Sequence, residues 1–565
     1  PDAISQTFDA VFHLNAVEWI LQTNNASSLR LFLEAPQGRV YPLGWHTLVA
    51  LAMKLCGATS IPMATNATVL AVAGLVWTSG CLTLTHVLFH GRPAALLTAA
   101  VMAGSFTVFP FVLLNWGVLY PNFLSIALLP SLLAAIRALV PIDGAGPAAR
   151  PTGLLLPATA LGVAGLGLTQ PNSIATLLLA SVILTTARLI TSLRAPLDER
   201  PANALRRQSL ITGALAVGLV IVWLYMRPPR ESAIWGPSYA TSGSVGEAVT
   251  SMPVQLPVIW VPAVLTLLGF IAALRTNGYR WLAALHATTG ALYVVARSAQ
   301  DGDLRFFMVG IWYNDASRLG GLLPVTAVPL AALGMLAAAR WGREACLTCG
   351  RVIRGITASR ARETRGLPGQ RRVSRVLGSV WGACERLIAS GRARPLVWRS
   401  SACCVIVLLL VATGPLSGAM SDSVKILEQS YMLAPDSSSL TTDEYALINE
   451  LPSLIEPDAV IAVDPKSGAA LAYALSGADT TVKHLFHRHD ADLDIIEKKL
   501  NRASADPAVC TALKDVGATY ALYFPGKTIS NQKAFVGFAH LDTAPGFELV
   551  AERGQASLYR ITACG

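Results

Sequence analysis

Apolar runs close to the ~20 residues that cross a bilayer as a helix recur along this 565-residue chain. They read as spans over Asn66–Leu88, Pro93–Pro110, Pro121–Val140, Thr152–Leu168, Asn172–Ile190, Ser209–Met226, Leu256–Arg275, Trp281–Arg297, Leu319–Arg340 and Ser401–Met420. Lipid offers the backbone no partner, so such runs must satisfy their own hydrogen bonds as helices. Only 14% of residues are charged and mean hydropathy is +0.50, against about 25% charged in a soluble domain. Soluble globular classes are excluded. The fold class expected is an α-helical polytopic membrane protein.

Charge sets the orientation. Arg340–Arg399 carries fourteen Arg and three acids, Glu344, Glu363 and Glu385. Basic residues also mark Arg188–Arg207 and the turn His90-Gly91-Arg92. The positive-inside rule places these segments in the cytoplasm, and a juxtamembrane basic loop is read as a topology signal, not as a nucleic-acid site. Gly44–Cys56 is apolar but too short to cross, so a surface-lying or re-entrant helix is expected there. The resulting division is an extracytoplasmic loop with membrane-surface helices (1–65), a transmembrane core (66–340), a basic cytoplasmic loop (341–399), a last span (400–420) and an extracytoplasmic domain (421–565). From Ser421 the chain holds nineteen acids against twelve Lys and Arg and no span-length apolar run. Short strand-like pieces (Ala459–Val463, Tyr520–Phe524, Ala556–Ile561) alternate there with helix-like ones (Gly468–Leu475, Ala491–Asn501, Ala508–Val516), which predicts a small α/β domain. Cys510 and Cys564 are its two cysteines, and a disulfide between them is left open.

The polar clusters converge on the outer side. In Phe8-Asp9-Ala10-Val11-Phe12-His13, Asp9 and His13 are four apart, so they share one helix face. Phe8, Val11, Phe12, Trp19 and Ile20 suggest an apolar stripe that lies on the membrane surface. Tyr41-Pro42-Leu43-Gly44-Trp45-His46 follows. Asn115, Trp116, Asn122, Gln170 and Asn172 stand at span ends on the same side, and with Tyr41 and Trp45 they are candidates for holding a sugar or acceptor. Trp312-Tyr313-Asn314-Asp315-Ala316-Ser317-Arg318 precedes a span. Its Trp312, Tyr313, Asn314 and Asp315 join those candidates, and Asp315 is also read as a helix N-cap. Arg318, at headgroup depth, can grip a phosphate with paired hydrogen bonds, as can Arg305 and Arg230. An interfacial aromatic belt accounts for some of these rings and snorkelling for some of the arginines. His484, His487, His489 and Asp490 read as a polar loop, with metal binding or contact with the membrane site as alternatives. No P-loop, dinucleotide fingerprint, His-Glu-x-x-His or Gly-x-Ser-x-Gly occurs.

Phe8-Asp9-x-x-Phe12-His13-x-x-Ala16, then Tyr41-Pro42-x-Gly44-Trp45-His46 and the turn His90-Gly91-Arg92-Pro93, resemble the GT-C superfamily of integral membrane glycosyltransferases. The Tyr-Asn-Asp-x-x-Arg cluster is similar to the branch common in actinobacteria. The resemblance spans Asp2 to Met420. It implies about 10–11 transmembrane helices, with a first helix before Pro1. It also implies a polyprenyl-phosphate-sugar donor, transfer with inversion to a cell-envelope glycan, and a place in the plasma membrane. Asp9 would be the base, with Asp2 its rival. Arg318, His13 and His46 would neutralise the departing phosphate. A divalent cation (Ca, Mg or Mn) stays open, since neither Asp2 nor Asp9 has an adjacent acid. Arabinofuranose, mannose and galactosamine remain candidates for the sugar. A lipid-linked-sugar flippase and a non-catalytic scaffold of the same fold are the competing readings. Sparse charge within the spans counts against ion-coupled transport.

Overall fold

A computed structural model describes residues 2–29, 31, 41–140, 142, 152–196, 202–363, 396–487, 490–526, 528–529 and 533–564. The arginine-rich stretch 364–395, the side chains of Cys346 and Cys349, and His489 lie outside the described residues.

Among the described residues six helices are long and apolar enough to cross a membrane: Ile61–Phe89, Pro93–Asn115, Tyr120–Leu139, Asn172–Arg194, Ala202–Tyr225 and Ala316–Ala345. Two bent pairs pass the same test together, Trp260–Arg275 with Asn277–Ser298 (120°) and Val405–Thr413 with Gly418–Ser430 (44°). By length and apolarity the described residues thus give six such helices, or eight if each bent pair is one span, against the ten spans expected. Hydropathy counts apolar residues and is blind to where a chain turns. The stretches 256–275 and 281–297 are two short helices folded back at Thr276–Tyr279, and Gly153–Thr169 is a shorter apolar helix. The chain is thus a helical polytopic membrane protein.

Small residues let these helices close up, as they do in lipid. A Cβ on Gly269 would stand 1.7 Å from the Leu330 carbonyl oxygen, and one on Gly334 would stand 1.9 Å from that of Leu265. Backbone thus meets backbone between the Trp260–Arg275 and Leu323–Glu363 helices. Gly334→Leu forces them apart, and overpacking of this kind costs about 1–3 kcal/mol or more. The expected result is a lower thermal midpoint and poor recovery of folded protein from detergent. A wild-type midpoint would show that the contact is not tight.

The C-terminal part is an α/β domain, as expected. Its five strands run β1 Val460–Ala462, β2 Asp479–Thr480, β3 Ala518–Tyr523, β4 Phe547–Arg553 and β5 Ala556–Ile561. Their order is β2-β1-β3-β5-β4, with β2, β1 and β3 parallel and β3, β5 and β4 antiparallel. Alternation along β3 splits its side chains between the two faces. Ala521 and Tyr523 pack with Ile496, Val509 and Leu513 of the Ala491–Lys499 and Pro507–Asp515 helices. Tyr520 and Leu522 join Leu447, Ile448 and Leu451 in a core continuous with that of the membrane helices. Cys510 and Cys564 form a disulfide.

Helix α1 (Phe8–Thr23) is not a membrane-surface helix, which corrects that expectation. Ala10 through Val17 are all buried, between α2 (Gly44–Cys56) and the Ile61–Ala71 helix on one side and Gly468–Ser476 of the C-terminal domain on the other. Apolar residues surround α1 almost all round, so it buries two faces instead of laying one on lipid.

Candidate active site

Helix α1 presents Asp9 in its first turn, where the N-terminal helix dipole favours a carboxylate. Burial works against it and pushes the Asp9 carboxyl up to about 6; Arg318 pulls it down and Asp315 pushes it further up. The floor beneath the carboxylate is bare backbone. Gly117 lies in the left-handed region (φ +68°), and a Cβ there would stand 3.2 Å from Asp9 Oδ2. No side chain could occupy that spot without moving the acid. Beside Gly117, Trp116 is half-exposed and packs on Trp235 with ring centroids 4.9 Å apart.

The Trp312–Arg318 segment supplies the cation. Asp315 caps the Ala316–Gly320 helix by accepting from the Ser317 amide at 2.7 Å, as expected of an N-cap. Its other oxygen lies 3.3 Å from Arg318 Nε, and the Arg318 guanidinium sits 4.8 Å over the Tyr313 ring. Tyr313 and Asn314 are both left-handed (φ 62° and 58°). The turn is held by Asn314 Nδ2, which donates to the Ala233 carbonyl at 3.0 Å. Asp9, Asp315, Tyr41 and Tyr313 all lie within electrostatic reach of Arg318 or of one another. Burial raises the Tyr41 phenol, and the Asp9 charge raises it further.

His13 Nδ1 and His46 Nε2 are 2.9 Å apart, and both rings are buried. Burial holds His13 well below the usual imidazole range and His46 at about 3. Both are neutral at pH 7, so the expectation that they supply charge to a phosphate is corrected. Their neighbours are Phe12, edge-on to Tyr41 (4.7 Å) and His46 (5.5 Å), and Tyr120. His484 of the C-terminal domain reaches the same cluster, 5.4 Å from the Phe12 ring.

The other expected residues are placed elsewhere or differently. Asp2 accepts from Ser60 at 2.5 Å, at the start of the Ile61–Ala71 helix. Arg305 is buried and donates to the carbonyls of Trp235, Ala296 and Asn314 and to Asp301. Its hydrogen bonds hold the Trp312–Asn314 turn in place. Arg230 pairs with Asp303 and lies over Phe306. Trp312 is buried edge-on to Trp223, and Asn115 ends a helix one residue before Trp116. Trp45 stacks on Tyr120, while Asn122 and Asn172 are buried at helix starts and Gln170 is buried just past the end of the Thr152–Thr169 helix. Among the described residues no group of three or more His, Cys, Asp or Glu is arranged to hold a metal ion.

The sequence alone did not point to Gly117 or Asn15. Asn15 is fully buried and donates to the carbonyls of Ala470 (2.8 Å) and Lys483 (2.6 Å), clamping α1 to the C-terminal domain. Gln6 and Gln22 add bonds to Leu440 and Tyr473. Asn15→Leu leaves two buried carbonyls unpaired, at about 1–3 kcal/mol each. A lower thermal midpoint is expected, together with faster proteolytic release of the domain. Unchanged proteolysis would show that the clamp is dispensable.

Fold and site together define a polytopic membrane protein with a half-buried carboxylate and guanidinium at one end of its helices. The chain belongs to a family described as a family of unknown function (DUF6541), whose model matches residues 1–563. No curated protein matches it. Among solved structures it is similar to ArnT from Cupriavidus metallidurans bound to undecaprenyl phosphate, at 13% identity over 98% of this chain and 94% of that one, with a TM-score of 0.48. It is also similar to the Archaeoglobus fulgidus oligosaccharyltransferase tethered with an acceptor peptide. There the identity is 11%, the coverage 92% of this chain and 65% of that one, less than two thirds of its length, and the TM-score 0.48.

Proposed function

We propose that this chain is an inverting glycosyltransferase of the GT-C superfamily. It moves a sugar from a polyprenyl-phosphate donor to a cell-envelope glycan at the outer face of the plasma membrane. The observation that carries the reading is Asp9: a half-buried carboxylate with its carboxyl pushed up to about 6, in electrostatic reach of Arg318 and over the bare Gly117 backbone. Such a group is ionised at neutral pH and still basic enough to take a proton. The acceptor hydroxyl gives its proton to Asp9 as its oxygen attacks the anomeric carbon. The bond from that carbon to the phosphate oxygen breaks, and the electron pair leaves with the lipid phosphate. Arg318 stabilises that developing charge by paired hydrogen bonds. Trp116 and Trp235 offer ring faces to a sugar at the edge of the site. With the Arg340–Arg399 loop cytoplasmic, Asp9 and the C-terminal domain lie outside, where lipid-linked donors take the place of nucleotide sugars.

The test is direct transfer. Purified protein in nanodiscs is given radiolabelled undecaprenyl-phosphoryl arabinose, mannose or galactosamine with cell-envelope glycan as acceptor. One donor is expected to label the glycan. Lipid binding without transfer from any donor would favour the scaffold or flippase reading.

A further inference from the structure

The Tyr120–Leu139 and Asn172–Arg194 helices begin side by side. Ser125 and Ser173, near the start of each, bring their hydroxyl oxygens to 2.7 Å. Ser125 donates to the Asn122 carbonyl at 2.8 Å, and Ser173 Oγ lies 3.5 Å from Asn172 Oδ1. The Asn172 carboxamide thus adjoins one end of a serine bridge, and the Asn122 backbone carbonyl closes the other. Asn122 is 2% exposed and Asn172 4%, yet the Nδ2 group of each is enclosed and donates to no protein atom. Two neighbours share that condition. Trp45 Nε1 is enclosed beside Tyr120, on whose ring the indole stacks, and Thr176 Oγ1 lies one turn along from Asn172.

Position relates this group to the candidate active site. The Ile126 methyl lies 3.1 Å from where a Cβ of Gly321 would be. Asn122 is one helical turn before Ile126, and Arg318 one turn before Gly321, so the two residues stand at the same end of neighbouring segments. The chemistry is rich in donors and carries no charged side chain. Two carboxamide NH2 groups and an indole N–H await oxygen lone pairs. A buried donor without a partner costs folding free energy, so a site that keeps several is built for something that accepts from them.

We propose that Asn122 and Asn172 bind hydroxyl oxygens of the sugar on the lipid donor, and so decide which sugar is accepted. The inference rests on the glycosyltransferase reading, in which the phosphate belongs to Arg318. A site that hydrogen-bonds a hydroxyl strongly rejects an analogue without it, because its own buried donors are then unpaired.

The experiment measures binding of two kinds of lipid to the full chain in nanodiscs. One is bare undecaprenyl phosphate; the other is undecaprenyl phosphate carrying arabinose, mannose or galactosamine. Wild type is expected to bind one glycosylated lipid more tightly than the bare one. Asn122→Ser and Asn172→Ser each lose about tenfold of that extra affinity and keep the affinity for bare lipid within about twofold. Their unliganded thermal midpoints stay at or above wild type, because an unpaired buried amide has been removed; Asn122→Ala and Asn172→Ala serve as second variants with the same expectation. Equal losses for both lipids would make this a phosphate site and overturn the proposal. No loss for either lipid would make the amides hydrated packing and overturn it too. If wild type binds no polyprenyl phosphate at all, the glycosyltransferase reading fails and the sugar site fails with it.

Discussion

Asp9→Asn lowers the transfer rate by at least about 10²–10⁴-fold, the usual worth of a general base, and leaves the protein folded. The stability half of this result follows from linkage. The folded carboxyl sits at about 6, above its ordinary value of 3.8, so the folded chain binds this proton more tightly than the unfolded one. The stability from that proton is complete below about pH 3.8 and is lost as pH rises through about 6. At neutral pH the ionised side chain is therefore a cost to the fold. A neutral amide of the same shape removes that cost, and the thermal midpoint of Asp9→Asn equals or exceeds that of wild type. Activity runs the other way. The base works only when ionised, so the wild-type rate is flat at neutral pH and falls about tenfold per unit well below pH 6. Initial rates across that range, with thermal midpoints for both proteins, check both halves. Full activity in Asp9→Asn would remove Asp9 from the chemistry and return the role to Asp2, whose Ser60 contact then needs another explanation.

Arg318→Gln is the second large effect. It removes the arginine whose charge acts on Asp9 and the cation over Tyr313. Loss of one preorganised group at a developing negative charge costs about 10²–10³ in rate, and affinity for undecaprenyl phosphate should fall in parallel. Asp315 is then left buried without its cation, which lowers the thermal midpoint as well; the acid proton that Asp315 takes up moderates that loss. Arg318→Lys keeps the charge and loses the planar fork, so it restores stability more than rate. Tyr313→Phe keeps the ring face under residue 318 and should match wild type in lipid binding. The idea would be sunk if Arg318→Gln bound undecaprenyl phosphate as wild type does.

Much of the architecture was legible along the chain because its signals are local. Helices near each apolar run, the short α2 from Gly44 to Cys56, the β5 strand from Ala556 to Ile561 and the Asp315 cap all depend on neighbours within a few residues. What was misread depends on distant partners. The apolar stripe of α1 resembled a membrane-facing one because nothing in Phe8–Thr23 tells lipid from protein as the covering surface. The C-terminal domain covers it, through Asn15, Gln6 and Gln22. The two histidines looked like cations because imidazole is half-charged near neutral pH in water. Burial, which no spacing records, keeps them neutral. Strand β4, from Phe547 to Arg553, was missed for the same reason, since its identity comes from pairing with β5.

The sequence by itself determined the solvent and the class: hydrocarbon-length runs oblige helices, and a span-free tail of alternating strand-like and helix-like pieces reads as an α/β unit. It also supplied Asp9 and Arg318 as chemically capable groups. Their meeting was decided by tertiary structure alone. They lie 309 positions apart in the chain. The turn at Gly117 and the bonds of Arg305 to the Trp312–Asn314 segment bring them within reach of one another. Only burial could then lift the Asp9 carboxyl to about 6, because desolvation belongs to a place in the fold and not to a residue.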